Sequence, residues 1–247
     1  MGLLLYGFIR ADDAATLDAQ GLALESFELV KHGRIAAIAA RTEDDYIDPT
    51  RKNLTKYADL LADIARSITV VPMRFGVMVP TEDELVATIM EPRQTELLEM
   101  LQRFDGMVEV DVKGHYDEPS MLQAIVASDD ELRALSEKIK SLPHNATYYD
   151  RITLGERVAK RITFQREKDR QRAVEALSPV CTDIRSNDPV AEMMALNLAL
   201  LVERGRVEEL NDLIQSLPET LGERVTLKVA GPLPPFSFVD AQLPVEV

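Results

Sequence analysis

Cysteine is almost absent: Cys181 stands alone in 247 residues, so no internal disulfide can form and a disulfide-scaffold fold is excluded. Long hydrophobic runs are missing as well. A bilayer-spanning helix needs about 18 or more unbroken apolar residues, whereas the best stretch, 193–202, is short and interrupted by Asn197. Residues 1–8 carry no basic residue ahead of their apolar run, so they do not read as a secretory signal. These absences point to a reducing, cytoplasmic setting. The three histidines, His32, His115 and His144, lie far apart, with no His-Glu-x-x-His and no cysteine pair, which leaves no metal template. Gly-x-Ser-x-Gly and Gly-Lys-Ser/Thr turns are also lacking, so hydrolase and nucleotide-binding templates fail. Cys181 follows Pro179 with no base beside it and reads as packing rather than as a nucleophile. The sequence therefore assigns no catalytic residue, no metal ligand and no cofactor.

What is present is ordinary globular composition, 46% hydrophobic and 28% charged, in a length that suits one large domain or two modest ones. Charge is the one unusual entry in it. The 28 Lys and Arg against 42 Asp and Glu leave a formal −14, which argues against nucleic acid or an anionic membrane surface as the main partner. Solubility is the simplest reason for such an excess.

The pattern along the chain is α+β. Residues 3–9 form an apolar run that reads as a buried strand, and the runs 27–30 and 34–40 flank Lys31-His32-Gly33 as a hairpin. Asn53 is positioned to cap a helix whose stripe is Leu54, Tyr57, Ala58, Leu61, Ile64, Ala65 and Ile68. Residues 70–76 read as a strand in which Pro72, lacking an N–H, marks an edge. Thr81 opens the next helix and Pro92 interrupts it before Leu97, Leu98, Leu101 and Phe104. Residues 107–113 alternate, with Val108, Val110 and Val112 on the inner face and Met107, Glu109, Asp111 and Lys113 on the outer. Gly114, Asp117 and Pro119 make 114–120 the best candidate for a domain boundary.

Beyond it, Ser128-Asp129-Asp130-Glu131 caps a helix through Leu142, and a longer helix spans about 152–177 with Leu154, Val158 and Ile162 as its stripe. Residues 193–202 fit helix or strand, 206–217 form an amphipathic helix, and 224–230 alternate as a strand. The paired acids Asp44-Asp45 and Asp129-Asp130 read as solvated surface and a cap. From Arg151 to Arg172 eight basic residues face three acids. Glu156–Lys160, Glu167–Arg170 and Asp169–Arg172 have helical pair spacing, so a laced, solvated face and a partner-docking surface both stand at this point.

Four stretches resemble the gas-vesicle protein F/L family in order and spacing. They are Leu4-Leu5-Tyr6-Gly7; Val71-Pro72-Met73-Arg74-Phe75-Gly76; Arg151-Ile152-Thr153-Leu154-Gly155-Glu156-Arg157-Val158; and Gly231-Pro232-Leu233-Pro234-Pro235-Phe236-Ser237-Phe238-Val239. Leu233 and Phe236 depart from the Trp and Tyr expected in many relatives. The resemblance implies an N-terminal mixed domain (1–115), a modified ferredoxin-like domain (116–230) and a Pro-rich tail (231–247) packing on the body. It turns 193–202 into a strand of a βαβ unit. It implies no enzyme, but a protein of the cytoplasm and the gas vesicle that binds the main hydrophobic shell protein, with other gas-vesicle accessory proteins as further partners.

On this reading an open edge at 71–76 with an apolar patch captures the shell subunit, and Arg166, Lys168, Arg170 and Arg172 steer it. Pro72, Met73, Arg74, Phe75, Gly76, Pro234, Pro235 and Phe236 are motif positions for which structural roles weigh more than contact. Arg74 is expected in a buried or bridging ion pair, Gly76 and Gly155 at backbone-permissive positions, and Pro234-Pro235 as a rigid strap. A small-ligand enzyme or sensor on a ferredoxin-like scaffold, marked by a cleft with converging polar groups, is the reading from another class. A purely structural wall component, retained in purified vesicles, is the third.

Overall fold

The computed structural model describes residues 2–19, 27–44, 46–222 and 224–239. Asp45 of the acidic pair and residues 240–247 of the tail lie outside the described residues. Two compact units emerge, one comprising Met1–Val110, Leu201–Val207 and Ala230–Val247, the other Asp111–Leu200 and Glu208–Val229. The architecture is mixed α and β on two antiparallel sheets.

In the first unit, β1 (Gly2–Arg10) pairs antiparallel with β3 (Ile35–Thr42), which turns back on β2 (Glu28–His32) through Gly33 at φ 57°. The hairpin falls where the Gly-containing connection placed it. β1 is buried along almost its whole length because it is covered on both faces. The helix α2 (Arg51–Ala65) contributes Tyr57, Leu61 and Ile64 to a core with Leu4, Ile9, Ala36 and Ile38. Its cap is Thr50, not Asn53: the Thr50 hydroxyl accepts the Asn53 N–H, so the helix starts three residues before the expected position. Thr50→Ala should lower stability by about 1 kcal/mol, read as a shifted urea midpoint at constant m.

The strand expected over 70–76 is instead two short ladders on β1, β4 (Val71–Pro72) and β5 (Met78–Val79), separated by a turn at Gly76 (φ 88°). β4 does end the sheet order β2-β3-β1-β4, as Pro72 requires. Thr81 caps α3 (Glu82–Leu85), a wide turn follows over Val86–Met90, and after the Pro92 break α4 (Gln94–Arg103) packs on β1, β3 and β4.

The second sheet has the order β7-β8-β6-β9, from β6 (Met107–Tyr116), β7 (Cys181–Ser186), β8 (Met194–Glu203) and β9 (Val225–Leu233). β6 outlasts the expected strand by three residues, since Gly114 lies beneath Leu196 and Val225, where a Cβ would stand 3.2 Å from both side chains. The stretch taken as a boundary thus holds a strand end and the start of α5 (Glu118–Ala127), capped by Asp117 with Pro119 in its first turn. Then come α6 (Asp130–Ser141), capped by Asp129, and the 30-residue α7 (Tyr148–Leu177). The segment 193–202 is strand, and α8 (Val207–Leu221) runs past the expected stop at Leu217, through Pro218, to bury Leu221.

Candidate functional site

Three of the four motif stretches meet in the first unit. Gly7 pairs with Pro72, and a Cβ at Gly7 would lie 2.6 Å from the Val71 carbonyl oxygen, so only glycine lets the two strands approach. Pairing of β1 with β3 slips between Leu5 and Gly7, and the Tyr6 carbonyl there accepts the Met73 N–H at 2.8 Å. The Tyr57 hydroxyl sits among the carbonyl oxygens of Leu5, Tyr6 and Met73 at 3.0, 3.1 and 2.9 Å, with one proton to donate among them. Burial raises its pKa far above the ordinary tyrosine value, so it stays a donor. The Tyr57 ring stacks on Tyr6 at 4.7 Å and meets the Phe75 ring edge-on at 5.3 Å. Phe236 packs against the same core.

Pro72, Met73, Pro234 and Pro235 are buried, Phe75 and Phe236 half-buried, and Gly76 holds the positive φ expected of it. Two expectations are corrected here. Arg74 is exposed and forms no ion pair among the described residues, so it neither bridges nor hides. Val71, Pro72 and Met73, being buried backbone and all, leave no free strand at this edge for another chain to join. The tail is fastened within this unit by a contact that the alternation of residues 107–113 did not foresee. Glu109, placed there on the outer face, is buried, and its carboxylate accepts the Ser237 N–H and hydroxyl, both at 2.7 Å.

The basic stretch lies on α7 in the second unit. Arg166 donates to the carbonyls of Met194 (2.7 Å) and Glu192, Arg170 to Glu167 (2.9 Å) and Ser186, and Lys168 lies over the Phe164 ring at 4.6 Å. Arg172 stands 3.8 Å from Asp169. Arg157 reaches Glu131 (2.7 Å) on α6 and Arg161 reaches its cap Asp129 (2.6 Å), partners that spacing along one helix could not supply. The Arg161 bond, with the cap bonds behind it, draws the Asp129 pKa down. The Glu167–Arg170 pair forms, while Glu156 and Lys160 do not meet. Arg151 lies 3.5 Å from the His144 ring nitrogen, and Lys160 meets no partner among the described residues.

Asp169, expected as one half of a surface pair, is fully buried. It accepts the Tyr116 hydroxyl and the Gln165 amide, both at 2.8 Å, and faces Arg224 at 3.5 Å. Burial first, then the bond to Asp169, raises the Tyr116 pKa. The signal was present, since Asp169 shares a helical face with Ile162 and Ala173, both buried. A cleft of about 490 Å³ beside this helix is lined by Arg166, Arg170, Asn187 and Asn197. Its two arginines are already engaged by main chain, Glu167 and Ser186, so they do not converge on a ligand.

Gly155 is corrected as well. It sits inside α7 without a positive φ, and a Cβ there would meet nothing within 4 Å, so the backbone does not demand glycine. Gly155→Ala should raise stability by about 0.5–1 kcal/mol, measurable by urea unfolding.

The fold is that of an α+β protein on two antiparallel sheets, whose motif residues in the first unit are joined by packing and main-chain hydrogen bonds. The family described as Gas vesicle synthesis protein GvpL/GvpF matches residues 2–240. Gas vesicle protein F of Streptomyces sp. (strain CB03234) is 32% identical over 243 residues, covering 97% of this chain and 100% of that one. Gas vesicle protein F of Nostoc sp. (strain PCC 7120) is 23% identical, covering 96% and 97%. The crystal structure of GvpF from Anabaena sp. PCC7120 superposes with a TM-score of 0.77 at 20% identity, over 96% of this chain and 95% of that one. That of GvpF from Microcystis aeruginosa gives 0.75 at 20%, over 96% and 98%. The chain belongs to the GvpL/GvpF family of gas vesicle proteins.

Proposed function

We propose that this protein is a gas-vesicle assembly factor that binds the main hydrophobic shell protein and keeps it competent for vesicle nucleation and growth, as a chaperone-like or minor structural component. Family membership sets the process. The observation that carries the binding role is a concentration of large exposed apolar side chains at the start of α7: Tyr148, Tyr149 and Ile152 are 62%, 81% and 44% exposed. An acidic chain otherwise well supplied with solvating charge has no folding reason to leave them in water. A shell subunit awaiting assembly exposes apolar surface that aggregates unless covered, and a charged carrier delays that. Other gas-vesicle accessory proteins are further partners, and the place of action is the cytoplasm and the vesicle surface.

The second sheet supports the ferredoxin-like reading, with β6 (Met107–Tyr116) as its first strand, ahead of the expected start at residue 116. Its order β7-β8-β6-β9, with helices after β6 and after β8, follows a βαββαβ path. The bonds from Ser237 to Glu109 support the reading of 231–247 as a tail that packs back.

The test is co-expression of the full chain with the main shell protein, followed by pull-down and size exclusion. A soluble, defined complex is the expected result, and shell protein that precipitates as it does alone overturns the reading. Retention of this chain in purified vesicles then separates a wall component from a carrier that leaves.

A further inference from the structure

Every buried residue of α7 lies at or beyond Ile162, in the half that covers the second sheet's unit. In the first half, Leu154 and Val158 are half-buried on the side of α5 and α6. A second stripe is left over. At about 3.6 residues per turn, Tyr148, Ile152, Gly155, Ala159 and Ile162 follow one another along a single line of the helix, and the first four are exposed. This line continues the face that carries Ala173 and Leu177 into the core, so the apolar surface runs on about 20 Å past the point where its cover stops. At the end of the line a shallow cleft of about 340 Å³ opens between Ala159, Ile162, Thr163 and the loop at Pro189 and Val190, the last 82% exposed.

We infer that this face of α7 is the docking site for an amphipathic helix of about four turns with acidic flanks. The inference rests on the shell-binding reading above and assigns that helix to the shell subunit. Three observations choose the occupant. A straight stripe with Gly155 and Ala159 at its middle and Tyr148 and Val190 towards its ends is a groove that receives the ridge of another helix. A strand has no free hydrogen-bonding edge to join on a helix surface. Charge then selects the sign: Arg151 borders the stripe on one side, its guanidinium 3.5 Å from the His144 ring and met by no carboxylate, and on the other side Lys160 stands with the exposed Glu156, which leaves the border with a net positive charge. The size of the face excludes a second copy of this chain as its occupant. About 20 Å by the roughly 10 Å width of one helix offers about 200 Å², far below the roughly 800 Å² per partner of a stable dimer. A contact of that size is weak and releasable, as a factor that must surrender its cargo requires.

The test uses the full chain co-expressed with the main shell protein and measures captured shell protein per carrier. Ile152→Glu puts a charge on the stripe, and Gly155→Leu fills its middle at a position where an added Cβ meets nothing within 4 Å. Each should reduce capture at least tenfold with the circular dichroism spectrum unchanged. Arg151→Glu with Lys160→Glu should reduce it comparably, while Tyr46→Glu, at an exposed apolar position of the other unit, should not. If the wild-type chain captures shell protein and the Ile152 and Gly155 variants capture it equally well, the docking face is overturned and the shell-binding reading stands. If the wild-type chain captures none, that reading falls and the docking inference falls with it.

Discussion

Asp169→Ala should cost about 3–5 kcal/mol of folding stability, because it removes the acceptor at the centre of a closed polar cluster. The Asp169 carboxylate has no solvent exposure, and two of its bonds, from the Tyr116 hydroxyl and the Gln165 amide, are short and direct. Its deletion strands both donors and leaves the Arg224 guanidinium, whose Nε already lacks a partner, without its facing charge. Water cannot readily replace the carboxylate in a site closed by β6 and α7. Tyr116→Phe, which removes one donor and leaves the carboxylate with its other partners, should cost about 1 kcal/mol. Asp169→Asn keeps an oxygen for Tyr116 while giving up the charge opposite Arg224 and Arg172, so its loss should fall between the two. Urea midpoints at constant m measure all three, and a double-mutant cycle between residues 116 and 169 isolates their coupling. An Asp169→Ala loss below that of Tyr116→Phe would mean that the cluster does not act as a unit.

Local chemistry explains which parts of this architecture can be read without coordinates. The run at β1, the hairpin at Gly33, the Thr81 and Asp129 caps and the alternation in β6 each depend on residues within a few positions of one another. Errors arise where one local signal has two uses. Thr50 and Asn53 both suit a cap, and the hydroxyl of the first takes the N–H of the second. Pro119 and Gly114 read as loop punctuation, yet proline is at ease in a first helical turn and Gly114 is needed where Leu196 and Val225 crowd the strand. β7 carries no such signal, because its sequence, Cys181 to Ser186, is largely polar and belongs to an edge with little to bury. The candidate surface was legible only in outline. The helix and its positive charge are sequence properties, but the carboxylates that occupy Arg157 and Arg161 come from α6 and its cap, 26 and 32 residues away, and Glu109 finds Ser237 across 128. Pairings of that range are set by tertiary packing, which no single-helix spacing contains.

Gly7→Ala should destabilise by about 3 kcal/mol, with both the first sheet and the Tyr57 cluster disturbed. The added methyl would stand 2.6 Å from the Val71 carbonyl oxygen and 3.2 Å from the Pro72 Cα, and neither is the end of a flexible side chain. Relief requires β4 to move off β1, and that motion pulls Met73 away from both the Tyr6 carbonyl and the Tyr57 hydroxyl. Near-ultraviolet circular dichroism of the Tyr6–Tyr57–Phe75 group should therefore change along with the urea midpoint. Two other motif glycines calibrate the result. Gly76 has open space around it but a φ of 88°, so Gly76→Ala should cost about 1–2 kcal/mol through backbone strain alone, with the aromatic signal retained. Gly155 has neither crowding nor a positive φ, and alanine there should stabilise. Crowding accounts for the first glycine and backbone conformation for the second. The third sits in the middle of an uncovered apolar stripe, where the small side of the helix is of use only to something that packs against it.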